Sequence, residues 1–153
     1  IALVLALIYL FGSIILGFIV MGSPFTQRML RLDQDRIGDL QSIQWQVIYH
    51  WQQKGALPQT LQELNDPLSG YFVPADPEAE KGYEYSYEPL SKYAFKLCAN
   101  FNLEDLTDDT GGVRPMYPER MMNMKDESWN HAEGMHCFER TIDPALYPVR
   151  PKS

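Results

Sequence analysis

Cationic residues are scarce in this chain. The 13 lysines and arginines stand against 20 aspartates and glutamates, a formal charge of −7 with three histidines counted neutral. That argues against a nucleic-acid binder, which neutralises phosphate with a basic face, and it disfavours recruitment to anionic lipid. Cysteine is nearly absent, at two residues, and no C-x-x-C pair exists to start a zinc finger. No glycine-rich phosphate loop occurs, since Gly111-Gly112 is an isolated pair. No serine or cysteine is placed with a histidine and a carboxylate in a nucleophile signature. The chain reads as no enzyme, with no cofactor and no nucleic-acid partner.

Charge is missing altogether from residues 1–22, IALVLALIYLFGSIILGFIVMG. At roughly 1.5 Å per residue a helix of that length reaches about 33 Å, enough to cross a bilayer core. The alternative, a signal peptide, needs a basic start, a shorter apolar core and a small-residue cleavage site. The run shows none of them and reads as a transmembrane helix in contact with the lipid bilayer. The chain begins with Ile1, which reads as a fragment or a processed form. Arg28, Arg31 and Arg36 follow the span closely, and the positive-inside rule would place them in the cytoplasm. Asp33, Asp35 and Asp39 interleave with them but count for little in that rule.

What is present is dominated by residues 23–55, which read as one long helix. Ser23 can cap the first free N–H groups, and Pro24 at the first helical position gives up no bond. Gly55 after Lys54 is a stop signal. Ile37, Leu40, Ile43, Val47 and Trp51 recur at intervals of three and four, with Leu32 and Ile48 widening the stripe. That is the period of one buried helical face. Gln34, Gln41, Gln44, Gln52 and Gln53 are expected opposite it. A helix this long needs a partner surface, so the shorter segments should fold across its stripe.

Those segments alternate turns and short elements. Thr60 and Glu63 form a capping-box pattern, which predicts a short helix over 60–65. Residues 71–73 read as a short strand ended by Pro74. Residues 83–87 and 93–101 alternate as half-buried strands do and predict an antiparallel hairpin. Tyr93, Phe95, Leu97, Ala99 and Phe101 should share one face. Residues 102–128 lose periodicity and read as a mobile acidic loop with a helical turn near 119–124. Residues 129–142 read as a turn at Gly134 entering a strand over 136–142. The residues after Asp143-Pro144 read as an irregular tail, disordered over 149–153.

The runs DQDRIGDLQSIQWQVIYHWQQKGALPQTLQELNDP, VPADPEAEKGYEYSY and KLCANF resemble the globular part of type IV pilins and type II secretion pseudopilins. The matching residues are Gly55, Leu57, Pro58, Thr60, Leu61, Leu64, Asp76, Pro77, Gly82 and Tyr83. Residues 1–22 carry neither the prepilin-peptidase signal nor the glutamate of that family. The chain also resembles the soluble tail of a bacterial membrane-protein family of unknown function, at residues 22–24, 31–46, 71–77, 129–148 and Cys98. The resemblance implies an α+β domain at 23–148, with a spine helix on a small antiparallel sheet. It implies a membrane-anchored protein at the cell envelope and no activity.

Few residues invite chemistry. Cys98 and Cys137 lie in predicted strands, and neighbouring strands would bring them into a disulfide; the alternative is two separate buried thiols. A disulfide places the domain outside the cytoplasm, against the arginine pattern. Cys98, His131, His136 and Cys137 are four ligands of types zinc accepts, but His136 and Cys137 would point to opposite faces of a strand. His131 is expected to fix the turn between Trp129 and Gly134 by hydrogen bonds. The acids over 104–109, and Asp76, Glu78 and Glu80, could meet calcium, though a solvated acidic loop is the better reading of both. His50 reads as a partly exposed helix histidine, and the methionines at 116–124 as loop composition, or else as a soft partner surface or a copper site. Three functions follow in order: a contact module for a membrane or envelope protein, a ligand sensor coupled to membrane helices, and a metal-dependent enzyme.

Overall fold

The protein is described by a computed structural model, covering residues 4, 9–13, 17, 23–105 and 128–150. It is α+β: a helix α1 (Pro24–Lys54) and a three-stranded antiparallel sheet of β1 (Ser86–Pro89), β2 (Ala94–Phe101) and β3 (Gly134–Thr141), in the order β1-β2-β3. Among the described residues no helix is long and apolar enough to cross a membrane. Most of the run expected to span lies outside them, as does the expected turn near 119–124.

Both ends of α1 follow from their residues. The Ser23 side chain accepts from Phe25 N, and Pro24 opens the helix. Gly55 takes the left-handed conformation at φ 71°, and its N–H donates to Trp51 O at 2.7 Å. Residues 23–31 stand clear of the core, exposed apart from a half-buried Met29. From there the stripe sinks: Leu40, Ile43, Val47, Ile48 and Trp51 are all buried.

The sheet supplies the other half of the core. Phe95, Leu97, Ala99 and Phe101 are buried on alternate positions of β2, and Phe138 and Ile142 join them from β3 and its end. Ser91 Oγ accepts from the Tyr93 and Ala94 N–H groups and closes the β1–β2 turn. Pairing starts at Ser86 rather than Tyr83. The residues before it leave the ladder for the helix, where Tyr85 Oη donates to Asp39 at 2.6 Å.

Other elements are shorter than expected. The helix foreseen over 60–65 is a 3-10 turn, Leu61–Leu64, and Thr60 gives it no side-chain cap. Residues 71–73 form no strand; Tyr71 bridges Asp66 alone. The tail is more ordered than expected at its start. Trp51 Nε1 donates to Tyr147 O at 3.1 Å, and Arg150 N donates to Gln52 O at 2.6 Å, satisfying one of the carbonyls that a helix end leaves free. Residues 151–153 lie outside the described set.

Candidate functional site

The buried face of α1 does not end at Leu40. Positions four and seven residues earlier continue the same helical phase, and they hold Arg36 and Asp33. Arg36 is fully buried and Asp33 nearly so. The guanidinium grips Asp76 with two nitrogens, Nε to Oδ2 at 2.9 Å and Nη2 to Oδ1 at 3.1 Å. It also donates to Asp33 at 2.8 Å and to Glu78 at 2.7 Å. Asp33 in turn accepts from the backbone N–H groups of Asn102 and Leu103 at the end of β2. The Asn102 side chain donates to Asp33 and Glu78, and Lys81 pairs with the other Glu78 oxygen. The ring of Tyr83 lies 5.8 Å from the guanidinium carbon. One arginine thus joins the spine, the 76–82 loop and the exit of β2.

The charges inside this knot are held by each other. Burial works against the Arg36 charge, but the hydrogen bonds it donates to Asp76, Glu78 and Asp33 outweigh it and raise its pKa. Lys81 first, and Arg36 second, pull the Glu78 carboxyl down to about 2 from an ordinary 4.5. A carboxylate depressed in the folded state stabilises above its unfolded pKa and stops doing so as pH falls through the folded value. The domain should therefore lose stability between pH about 4.5 and 2, with Glu78→Gln flattening that part of the profile; urea midpoints at stepped pH check it. The solvated-loop reading of Asp76, Glu78 and Glu80, preferred to calcium from the sequence, is corrected for the first two: the Arg36 guanidinium holds both carboxylates, and Asp76 is buried, while Glu80 is exposed. Of the 104–109 acids, Glu104 and Asp105 line a cleft with His131, Ile37 and Leu103. Asp108 and Asp109 lie outside the described residues.

Cys98 and Cys137 form a disulfide. They are directly opposed in the β2–β3 register, with Cα atoms 4.0 Å apart. Ile142 N donates to Tyr93 O, which makes that pair a hydrogen-bonded one. Counting five residues inward places Cys98–Cys137 at a non-hydrogen-bonded pair, where side chains come closest. The bond lies on the outer face of the sheet, with Cys98 buried and Cys137 exposed.

That arrangement dissolves the four-residue metal set. Both sulfurs are bonded to each other, and His136 projects from the opposite face of β3, its ring 4.9 Å from Phe138. Burial, and then His131, lower the His136 pKa. Among the described residues no group of three or more metal-ligating side chains comes together. His131 fixes its turn differently from expectation. Its ring stacks on Phe101 with centroids 3.6 Å apart, and its carbonyl accepts from Asp105 N at 2.9 Å, while its Nδ1 has no partner among the described residues. Trp129 lies under the Arg140 guanidinium at 4.3 Å, and Gly134 enters β3 at φ 91°.

Gln44, expected on the solvent face of the spine, and His50, expected to be partly exposed, are both buried. Gln44 is 6 % exposed, and its Oε1 accepts from Arg140 Nε at 3.1 Å. His50 is 9 % exposed, with Nδ1 3.0 Å from Ala56 O. It follows Ile43 and Val47 at +7 and +3, a phase that would have revealed it. Comparison of the chain with protein-family models, curated proteins and solved structures gives no match.

Proposed function

We propose that this is a non-enzymatic, membrane-anchored module of pilin-like build that contacts another membrane or envelope protein through the exposed side of its spine. The observation that carries the reading is the division of α1 into two faces. One is buried on the sheet and fastened by the Arg36 knot. The other keeps Trp45 and Tyr49 about half exposed, one turn apart. Aromatic side chains on a rigid helix are the residues from which interface anchors are made. The anchor is residues 1–22, where Val4, Tyr9, Leu10 and Phe11 are helical and exposed. A side outside the cytoplasm is favoured by the disulfide, a bond that persists in oxidising compartments. Arg36 has a structural role, so its place near the span needs no topological explanation.

The test is a photo-crosslinking residue in place of Tyr49, in native membranes. A single discrete protein adduct is expected, and Trp45→Asp should cut its yield roughly 30-fold, the loss of one interface anchor. No discrete adduct from this face, alongside robust catalytic turnover, sinks the reading. A second reading, a ligand sensor coupled to the membrane helix, is favoured by an open cleft beside His50, formed by the last turns of α1 and residues 63–66. A ligand-dependent shift of α1 separates it from the first.

A further inference from the structure

The core-facing seam of α1 outruns the sheet that covers it. Counting back from Leu40 at alternating intervals of three and four leads to Ile37, Asp33, Leu30 and Thr26. That is the spacing with which a helix presents one continuous seam to a neighbour. Leu40 is fully buried, but Ile37 is only half-buried, Leu30 is 42 % exposed and Thr26 is exposed. Asp33 is turned to the Arg36 guanidinium. The exit of β2 supplies a second wall, with Leu103, Glu104 and Asp105, and the two walls bound an open cleft of about 560 Å³. Its apolar surface comes from Leu30, Ile37 and Leu103. No lysine or arginine lines it, while Glu104 is exposed on its rim.

We propose that this groove takes a helix of a partner protein that leaves the same bilayer alongside α1, with apolar residues at heptad spacing and a lysine or arginine facing Glu104 and Asp105. The inference rests on residues 1–22 being the anchor, and it adds a contact separate from Trp45 and Tyr49. Leu30 and Ile37 stand one heptad apart on one face, the repeat into which the side chains of a second helix fit. The acidic wall asks for a cation, and charge complementarity sets the register of such a contact. A second copy of this chain, itself at −7, would bring the same acids to the groove. Height argues against a lipid tail. On the anchor reading Leu30 stands about 12 Å beyond the hydrocarbon edge, whereas the headgroup layer is roughly 5–7 Å deep.

The experiment puts benzoylphenylalanine in place of Leu30 in the full chain, in native membranes, and maps the photo-adduct by mass spectrometry after digestion. The adduct is expected on another protein, within the first three turns after a membrane span and within one turn of a lysine or arginine. Glu104→Lys alters an exposed residue, so the far-ultraviolet circular dichroism should not change, but it sets like charges together and should cut the yield about tenfold. Glu104→Gln, which only removes the attraction, should cut it less. An adduct on a second copy, on lipid or on another segment of the same chain overturns the proposal, and so does the absence of any adduct. A yield that Glu104→Lys leaves unchanged overturns it as well. The Tyr49 adduct, measured on the same membranes, separates the two readings: an adduct at Tyr49 with none at Leu30 sinks the groove alone. Release of the chain from membranes by alkaline carbonate sinks the anchor, and the groove with it.

Discussion

Arg36→Met should lower the stability of the domain by about 3–5 kcal/mol, the usual cost of removing one partner from a buried ion cluster. The side chain it replaces is fully buried and touches three carboxylates. Methionine fills much of the space but leaves Asp33, Asp76 and Glu78 facing each other without their cation. The three answer to different parts of the chain: Asp33 still holds the Asn102 and Leu103 N–H groups, while Asp76 and Glu78 lose their direct tie to the helix. The 76–82 loop should therefore detach first. For a domain spanning residues 23–148 each kcal/mol is worth about 4 °C of melting temperature, so a fall of roughly 12–20 °C is expected in thermal unfolding followed by near-ultraviolet circular dichroism. Arg36→Lys keeps the charge but cannot grip Asp76 with two parallel bonds, and should recover only part of the loss. A methionine variant within about 1 kcal/mol of the parent, inside the range of an exposed ion pair, would mean the knot is ornamental.

The second large effect is expected from the disulfide. Cys98 and Cys137 are separated by 39 positions, and closing a loop of that length is worth about 4 kcal/mol by the chain-entropy estimate. The paired Cys98→Ala, Cys137→Ala variant should lose about that much, seen as a lower urea midpoint. Reductant should bring the parent to the same midpoint and leave the variant unmoved. If the two midpoints agree before reductant is added, the β2–β3 ladder holds that loop unaided, and the entropic account is wrong.

How far the chain could be read depended on whether a residue obeyed one rule or two. The spine was legible because Ser23, Pro24 and Gly55 mark its ends and the apolar stripe gives its phase. β2 was legible because its alternation runs unbroken from Tyr93 to Phe101. The disulfide was legible as one of two readings, because both cysteines fell on predicted strands that neighbouring positions in a sheet would bring together. Arg36 was read only as a topological charge beside the span; its polarity conflicted with its helical phase, and phase won because three carboxylates were available to receive it. Gln44 and His50 were misjudged by the same conflict. The residues at 83–85 carry a strand's alternation, yet the Tyr85 hydroxyl bonds to Asp39 on the helix instead of extending the ladder. Such long-range partners leave no trace in local spacing. The candidate cleft was invisible for that reason as well, since Glu63 and His50 come together only once the chain has turned at Gly55.

The exposed start of α1 has a mechanical meaning if residues 1–22 are the anchor. Nine residues, 23–31, run clear of the core, and at about 1.5 Å each they form a stalk of roughly 13 Å. Electrostatic repulsion in physiological salt decays over about 8 Å. On the proposed reading about half of that stalk would lie within the headgroup layer, so the acidic head would sit within roughly one screening length of the headgroups, and the tilt of the strut would set which way the Trp45 flank faces.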